Sequence, residues 1–289
     1  TVDYVNSFFD MGVDIAFDAG ASDATKTVYT FSLPAAPAGA AIGSTTVTSG
    51  AATVLSSLSA SAMTITSSAM ESAAGPSITV EFTVAYEGGT SAPTSLIVPF
   101  TGPAKNAVGG VYYKQGLAQG VVYVPNTGII GSGRMVHLHG SVNRISWSSV
   151  SEYTGTTNTD GLANMAAVKA LSPVFSNYPA FAWVDALNGA AGATTYTSGT
   201  SGTWFLPAVN ELGDFSGGLY KAYADYGATA FNDILTNAGG NSMLDGYSYY
   251  WTSTEDIQPT WSKAVYFGES LWSFWAKTEP MLVRPICLF

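Results

Sequence analysis

One cysteine, Cys287, stands among the 289 residues. No internal disulfide can therefore staple the fold, and cysteine-cluster zinc sites and CxxC redox pairs are excluded. Charge is scarce as well: 10% of residues are Asp, Glu, Lys or Arg, against roughly 25% in an average soluble domain. The little charge present is acidic on balance, with Lys+Arg 10 against Asp+Glu 20 and a net charge of -10. That argues against a nucleic-acid partner, which needs basic surface to displace counterions, and against docking on anionic lipid. No apolar run reaches the length of about 18 residues that reads as a membrane span, and no charged stretch followed by an apolar run opens the sequence. Nucleophile elbows and nucleotide phosphate loops are missing too. Gly128-Ile-Ile-Gly-Ser-Gly133 matches neither phosphate-binding pattern and reads as a surface turn. No cofactor is implied.

What is present divides the chain. Hydrophobic residues make up 47% and aromatics 13%, enough to bury a core. Residues 1–104 hold one basic residue, Lys26, eight acidic ones and no tryptophan, while all seven tryptophans lie between Trp147 and Trp275. The turn-rich stretch Thr101 to Gly110 is the natural boundary. In residues 1–104, Val13 to Ala19, Val28 to Leu33, Ile78 to Tyr86 and Ser95 to Phe100 alternate with period two. The Ala/Gly/Ser/Thr-rich tract between Pro34 and Gly75 reads as short, weak strands, and an all-β antiparallel sandwich is expected. Residues 105–289 are mixed. Strands are expected at Val111–Lys114, Gly120–Val124, Arg134–His139 and from Tyr247 to the end. Helices are expected from an Asp160 cap through Lys169, from Tyr178 to Leu187, from Pro207 at a first helical position, and from Ala228 to Asn237. This is an α+β arrangement whose terminal strands can pair.

Several constellations read in two ways. His137 and His139, the only histidines, would point the same way on a strand, as two metal ligands or as two polar face residues. Asp10, Asp14 and Asp18 lack the glycine and closing glutamate of a calcium loop and read as a solvated acidic face. Glu211, Glu255 and Arg284 sit in apolar surroundings, as acid/base groups or as a buried framework in which Glu255 and Arg284 bond to each other or to Glu211. The aromatic density near the end could build core or a ligand surface. Leu271-Trp-Ser-Phe-Trp275 puts aromatics on both faces of one strand, so one set faces outward unless a further layer covers it.

The order Trp204-Phe-Leu-Pro-Ala-Val-Asn-Glu-Leu212, Tyr250-Trp-Thr-Ser-Thr-Glu255, Ala264-Val-Tyr-Phe267, Lys277 and Val283-Arg-Pro285, with Asp160-Gly161 and Asn164 upstream, resembles bacterial surface domains of the C-type lectin-like fold. Within that group it resembles the variable proteins diversified by retroelements. The resemblance implies a fixed framework of Trp251, Ser253, Glu255, Val265, Phe267, Lys277, Val283 and Arg284. Between these it implies substitutable ligand-binding positions at Asp256, Gln258, Trp261, Lys263, Tyr266, Glu269, Leu271, Trp272, Phe274 and Trp275. Gln258-Pro259-Thr260 departs from the calcium-dependent sugar-binding motif, and one cysteine departs from the sulfatase-activating relatives. Phe9 to Asp18 and the strand before Pro99 are similar to fimbrillin-type pilins.

The resulting expectation is a non-enzymatic adhesin or receptor-binding protein on a bacterial cell surface or fimbrium. Residues 1–104 would be the attachment sandwich and residues 105–289 the ligand-binding domain. Its partner would be a protein or glycan on a cell or matrix surface, or other pilus subunits, with no metal. The alternatives are a structural pilus subunit without its own ligand and a surface hydrolase.

Overall fold

The computed structural model describes residues 101–289 except 190, 191, 194, 244–247 and 270. Before residue 101 it describes the backbone of strands. Asp10, Asp14 and Asp18 lie outside the described residues, as does Tyr247. The chain packs as two compact units, residues 1–119 with 127–129, and residues 120–126 with 130–289.

The first unit holds β1 (Ile15–Phe17), β2 (Val28–Phe31), β3 (Ala40–Thr48), β4 (Val54–Ser59), β5 (Ala62–Thr66), β6 (Ser77–Tyr86), β7 (Gly89–Thr90), β8 (Thr94–Pro103) and β9 (Val111–Lys114). Three of these strands arise within the small-residue tract. β8 is long enough to serve several partners: Thr94 to Pro99 pairs with β6, Phe100 and Thr101 with β1, and Gly102 and Pro103 with β9. β1 and β8 run parallel, which departs from the antiparallel expectation; the remaining pairings in this unit are antiparallel. Val111–Lys114, read from the sequence with the later residues, returns on β8 with Ala104 N–H donating to Val111 O at 2.7 Å.

The second unit is α+β. Its four-stranded antiparallel sheet runs in the order β13 (Trp204–Phe205), β18 (Ile286–Leu288), β11 (Arg134–His137), β10 (Leu117–Val124, of which Gly120 onward belongs here). An early strand and the last one thus lie side by side, with Val136 opposite Ile286. β12 (Ile145–Ser146) pairs with β17 (Pro280–Met281). A third sheet is formed by β14 (Tyr249–Glu255), β15 (Trp261–Tyr266) and β16 (Leu271–Ala276).

Helices pack between these sheets. α1 (Gly161–Leu171) starts where the Asp160 carboxylate accepts from Ala163 N–H at 2.9 Å, and it buries Leu162, Met165 and Val168, a helical stripe. α2 (Pro179–Asp185) has proline at its first position and continues as a 3₁₀ turn to Asn188. The helix expected at Pro207 is instead α3 (Val209–Leu212) with Ala208 as its cap. Pro207 lies before the helix, and its carbonyl accepts from Ser253 N–H at 2.7 Å, tying this segment to β14. α4 (Leu219–Tyr226) was not expected; it buries Leu219 and Tyr223, one turn apart. α5 (Ala228–Asn237) buries Phe231 and Leu235. Among the described residues, Trp147, Trp251, Tyr123, Tyr178, Phe175, Phe181 and Phe205 are the largest wholly enclosed rings.

Glu211 joins two helix starts. Its Oε2 accepts from Ala208 N–H at 2.8 Å and from Gly161 N–H at 2.9 Å. The reciprocal half of a capping box is missing because alanine carries no side-chain oxygen. Gly161 makes this approach possible: a Cβ there would lie 2.8 Å from Glu211 Oε2 and 2.6 Å from Leu206 O. Burial outweighs the two donors and the nearby Arg134 and pushes the carboxyl up from 4.5 to about 7. The folded chain therefore holds this proton more tightly than the unfolded chain. The contribution is fully present below about pH 4.5 and is lost as pH rises through about 7. Glu211→Gln keeps an oxygen for both N–H groups. It is expected to flatten the decline in melting temperature between pH 5 and pH 8 and to melt above the parent at pH 8. A variant that follows the parent across this range would contradict the assignment.

Candidate functional site

The aromatic segment forms one hairpin, β15 and β16, with six consecutive pairs from Trp261↔Ala276 to Tyr266↔Leu271. Directly opposed residues share a face. Lys263 is opposite Phe274 and Val265 opposite Trp272, while Ser262 is opposite Trp275 and Ala264 opposite Ser273. Trp261, Lys263, Trp272 and Phe274 therefore lie on one face, and Tyr266, Leu271, Ser273 and Trp275 on the other.

The first face is open except at Val265, which is fully buried. Trp272 is 43% exposed, Trp261 40% and Phe274 37%. Trp272 meets Phe274 edge-on at 5.3 Å between ring centres. The Lys263 ammonium stands 4.6 Å from the Trp272 ring centre and 5.6 Å from that of Phe274. It is held there by donating to Asn158 Oδ1 at 2.9 Å. Partial burial lowers the Lys263 pKa, and Asp256 opposes that shift. On the second face Ser262 and Ala264 are fully buried and Tyr266 and Trp275 half-buried: Tyr266 stacks on Tyr249 at 5.2 Å, and Trp275 meets Tyr249 at 5.0 Å. Leu271 is exposed at its edge.

The ten positions implied by the resemblance thus fall in four places. Four share the open face, and Tyr266, Leu271 and Trp275 share the reverse. Asp256 and Gln258 lie in the β14–β15 turn, where Asp256 N–H donates to Trp261 O and Trp261 N–H to Gln258 O. Glu269 sits in the β15–β16 turn at the other end of the hairpin. Two residues of the open face's surroundings were not singled out in the sequence. Ile257 is 88% exposed in the same turn as Asp256, a bare isoleucine between two polar neighbours. Asn158, about a hundred positions before Lys263, gave no local signal.

Beside the hairpin in the same sheet, β14 is buried from Tyr250 to Glu255. Its pairing slips between Trp251↔Ala264 and Glu255↔Ser262, so three residues of β14 bulge where β15 has one. The bulge turns polar groups inward. Thr252 O accepts from Trp147 Nε1 at 2.8 Å, Ser253 Oγ accepts from Asn164 Nδ2 at 2.8 Å, and Thr254 Oγ1 accepts from Val209 N–H at 3.0 Å. Asn164 Oδ1 also accepts from Thr157 N–H at 2.6 Å. The bulge ends on Glu255, whose Oε2 accepts from Thr154 N–H at 2.7 Å and Thr154 Oγ1 at 3.0 Å, and whose Oε1 pairs with the Lys277 ammonium. Both side chains are almost fully buried. Lys277 also donates to Glu152 O at 2.8 Å and lies 4.5 Å from the Trp147 ring centre. Burial lowers its pKa, and the Glu255 hydrogen bond opposes this.

The expected link among Glu255, Arg284 and Glu211 is not made. Lys277 directly follows β16 and reaches the end of the sheet where β14 finishes, whereas Arg284 lies near β11. There its guanidinium donates to Leu138 O at 3.1 Å, Asn241 Oδ1 at 2.7 Å, Asn241 O at 2.6 Å and Met243 Sδ at 2.9 Å. Full burial pushes it down to about 10. His137 faces Trp204 edge-on at 4.5 Å, and its Nδ1 lies 2.9 Å from His139 O. Burial brings its pKa down to about 4. Among the described residues, no group of three or more His, Cys, Asp or Glu side chains is placed to hold a metal ion, and no helix is long and apolar enough to cross a membrane.

No family model, curated protein or solved structure matches this chain.

Glu255→Gln leaves the Lys277 ammonium buried without its counter-charge, a loss of roughly 3–5 kcal/mol for a buried pair. Thermal melting is expected to show a large drop for Glu255→Gln and for Lys277→Met. The double variant should lose much less than the two single losses together. Additive losses would mean the two groups do not act as a pair.

Proposed function

We propose that the chain is a non-enzymatic binding protein of a bacterial cell surface or fimbrium. In this reading the second unit is a C-type lectin-like domain, similar to retroelement-diversified variable proteins, and the first is a pilin-like attachment module. The ligand surface is the face bearing Trp261, Lys263, Trp272 and Phe274, and the ligand is a protein or glycan on a cell or matrix surface.

The observation that carries this reading is the contrast between that face and the buried framework around it. Three large aromatic side chains stay between 37% and 43% exposed, around a lysine held in place by Asn158. Exposed aromatics with a cation among them supply much contact area at little entropic loss and recur as binding anchors. The two buried carboxyls have protein partners: Glu211 holds two backbone N–H groups, and Glu255 holds Thr154 and Lys277. Acid/base chemistry would need one of these carboxyls released from its framework bonds. Assignment to the lectin-like fold, to the pilin-like module and to the cell surface rests on the sequence resemblance.

The test is binding of the purified chain to immobilised cell-surface or matrix material. Trp261→Ala and Trp272→Ala are each expected to weaken binding by about 2 kcal/mol, on the order of thirtyfold, as anchors do. Melting temperatures should stay within a few degrees of the parent. Unchanged binding together with a large loss of stability would make these rings core and overturn the reading in favour of a structural subunit.

A further inference from the structure

β16 is the outer strand of its sheet; among the described residues it pairs with β15 alone. Natural edge strands are blunted by lysine, proline, bulges or very short length. Leu271-Trp-Ser-Phe-Trp-Ala276 has no charge and no proline, and its six pairs with β15 run without a bulge. Its outward-directed groups can be identified. Lys277 N–H donates to Thr260 O at 2.9 Å, and Asp256 N–H donates to Trp261 O at 3.1 Å. Backbone groups alternate sides residue by residue along an antiparallel strand. Leu271, Ser273 and Trp275 therefore bond to β15, and Trp272 and Phe274 direct their N–H and C=O groups away from it.

We propose that β16 pairs antiparallel with β16 of a second copy of this chain, about a two-fold axis at Ser273. The register follows from the side chains. With the axis at Ser273, Trp272 of each copy lies opposite Phe274 of the other, and the four outward groups of each strand meet as two hydrogen-bonded pairs. Leu271 lies opposite Trp275, and the smallest side chain, Ser273, meets itself at the closer, non-hydrogen-bonded position. Moving the axis to Phe274 sets Trp272 against Ala276, whose carbonyl already accepts from Glu279 N–H. It also sets Leu271 against Lys277, which is buried on Glu255. The Ser273 register avoids both conflicts. It joins the two open aromatic faces into one strip, edge-to-face across the seam as within each copy. A five-residue seam is small, at the weak end of interfaces below about 1,200 Å², so the dimer depends on concentration. The pairing stands whether or not the aromatic face binds a ligand.

The full chain carrying Ser273→Cys tests this. Cα atoms of a non-hydrogen-bonded antiparallel pair lie about 4.5 Å apart, within disulfide reach. The native Cys287 is buried and serves as an internal control. Under mild oxidation S273C is expected to give a covalent dimer as its main product, lost when Phe274→Pro is added. A cysteine at the exposed turn residue Thr278 should give little. Sedimentation of the unmodified chain should show a reversible, concentration-dependent dimer that Ser273→Lys abolishes. A monomer at all concentrations, or T278C cross-linking as readily as S273C, would overturn the proposal.

Discussion

The hairpin that presents the aromatic face depends on one buried ion pair. Glu255 closes the bulged end of β14 and Lys277 follows the last residue of β16. Their contact fastens the first and last strands of the sheet to one another and to the 152–155 segment. Two desolvated charges are costly unless their remaining hydrogen-bonding groups are met, and here they are: Thr154 supplies two donors to the carboxylate, Glu152 O accepts from the ammonium, and the Trp147 ring lies against it. The cost of burial makes the arrangement specific, since any register of β14 that moved Glu255 away from Lys277 would leave both charges unpaired.

The rest of the site follows from that fixation. Because the bulge between Trp251 and Glu255 directs Thr252, Ser253 and Thr254 into Trp147, Asn164 and Val209, the β14 side of the sheet is held by polar contacts made inside the protein. The outer strand contributes little to these contacts. β16 can then carry Trp272 and Phe274 on its open side, with Lys263 between them and Asn158 steadying the lysine. Scaffold and surface are largely separate sets of residues on the same three strands.

Much of the scaffold could be read from local signals. Asp160 before an apolar stripe, Pro179 at a helix start and the alternation of Leu271 to Trp275 each encode their structure within a few residues, and the structure has a helix, a helix and a two-faced strand there. What the sequence hid is chiefly long-range. The partner of Glu255 is a lysine brought near only by sheet register, so Arg284, the other conspicuous buried charge, was the natural but wrong choice. Pro207 looked like a helix start because nothing local reveals that Ser253 claims its carbonyl. α4 was overlooked although Leu219, Tyr223 and Tyr226 recur at helical spacing and Lys221 and Asp225 pair at 3.0 Å one turn apart. The ten positions implied by resemblance looked like one patch along the chain. Strand alternation divides them between two faces and two turns.

The separation of scaffold from surface is tested most directly by replacing Trp261, Lys263, Trp272 and Phe274 together with threonine, a residue suited to strands, and following thermal unfolding of the full chain. A cooperative transition within a few degrees of the parent is expected, because the Glu255–Lys277 pair and the bulge contacts are untouched. Loss of cooperative unfolding in that variant would show that the aromatic face is part of the core and would contradict the separation.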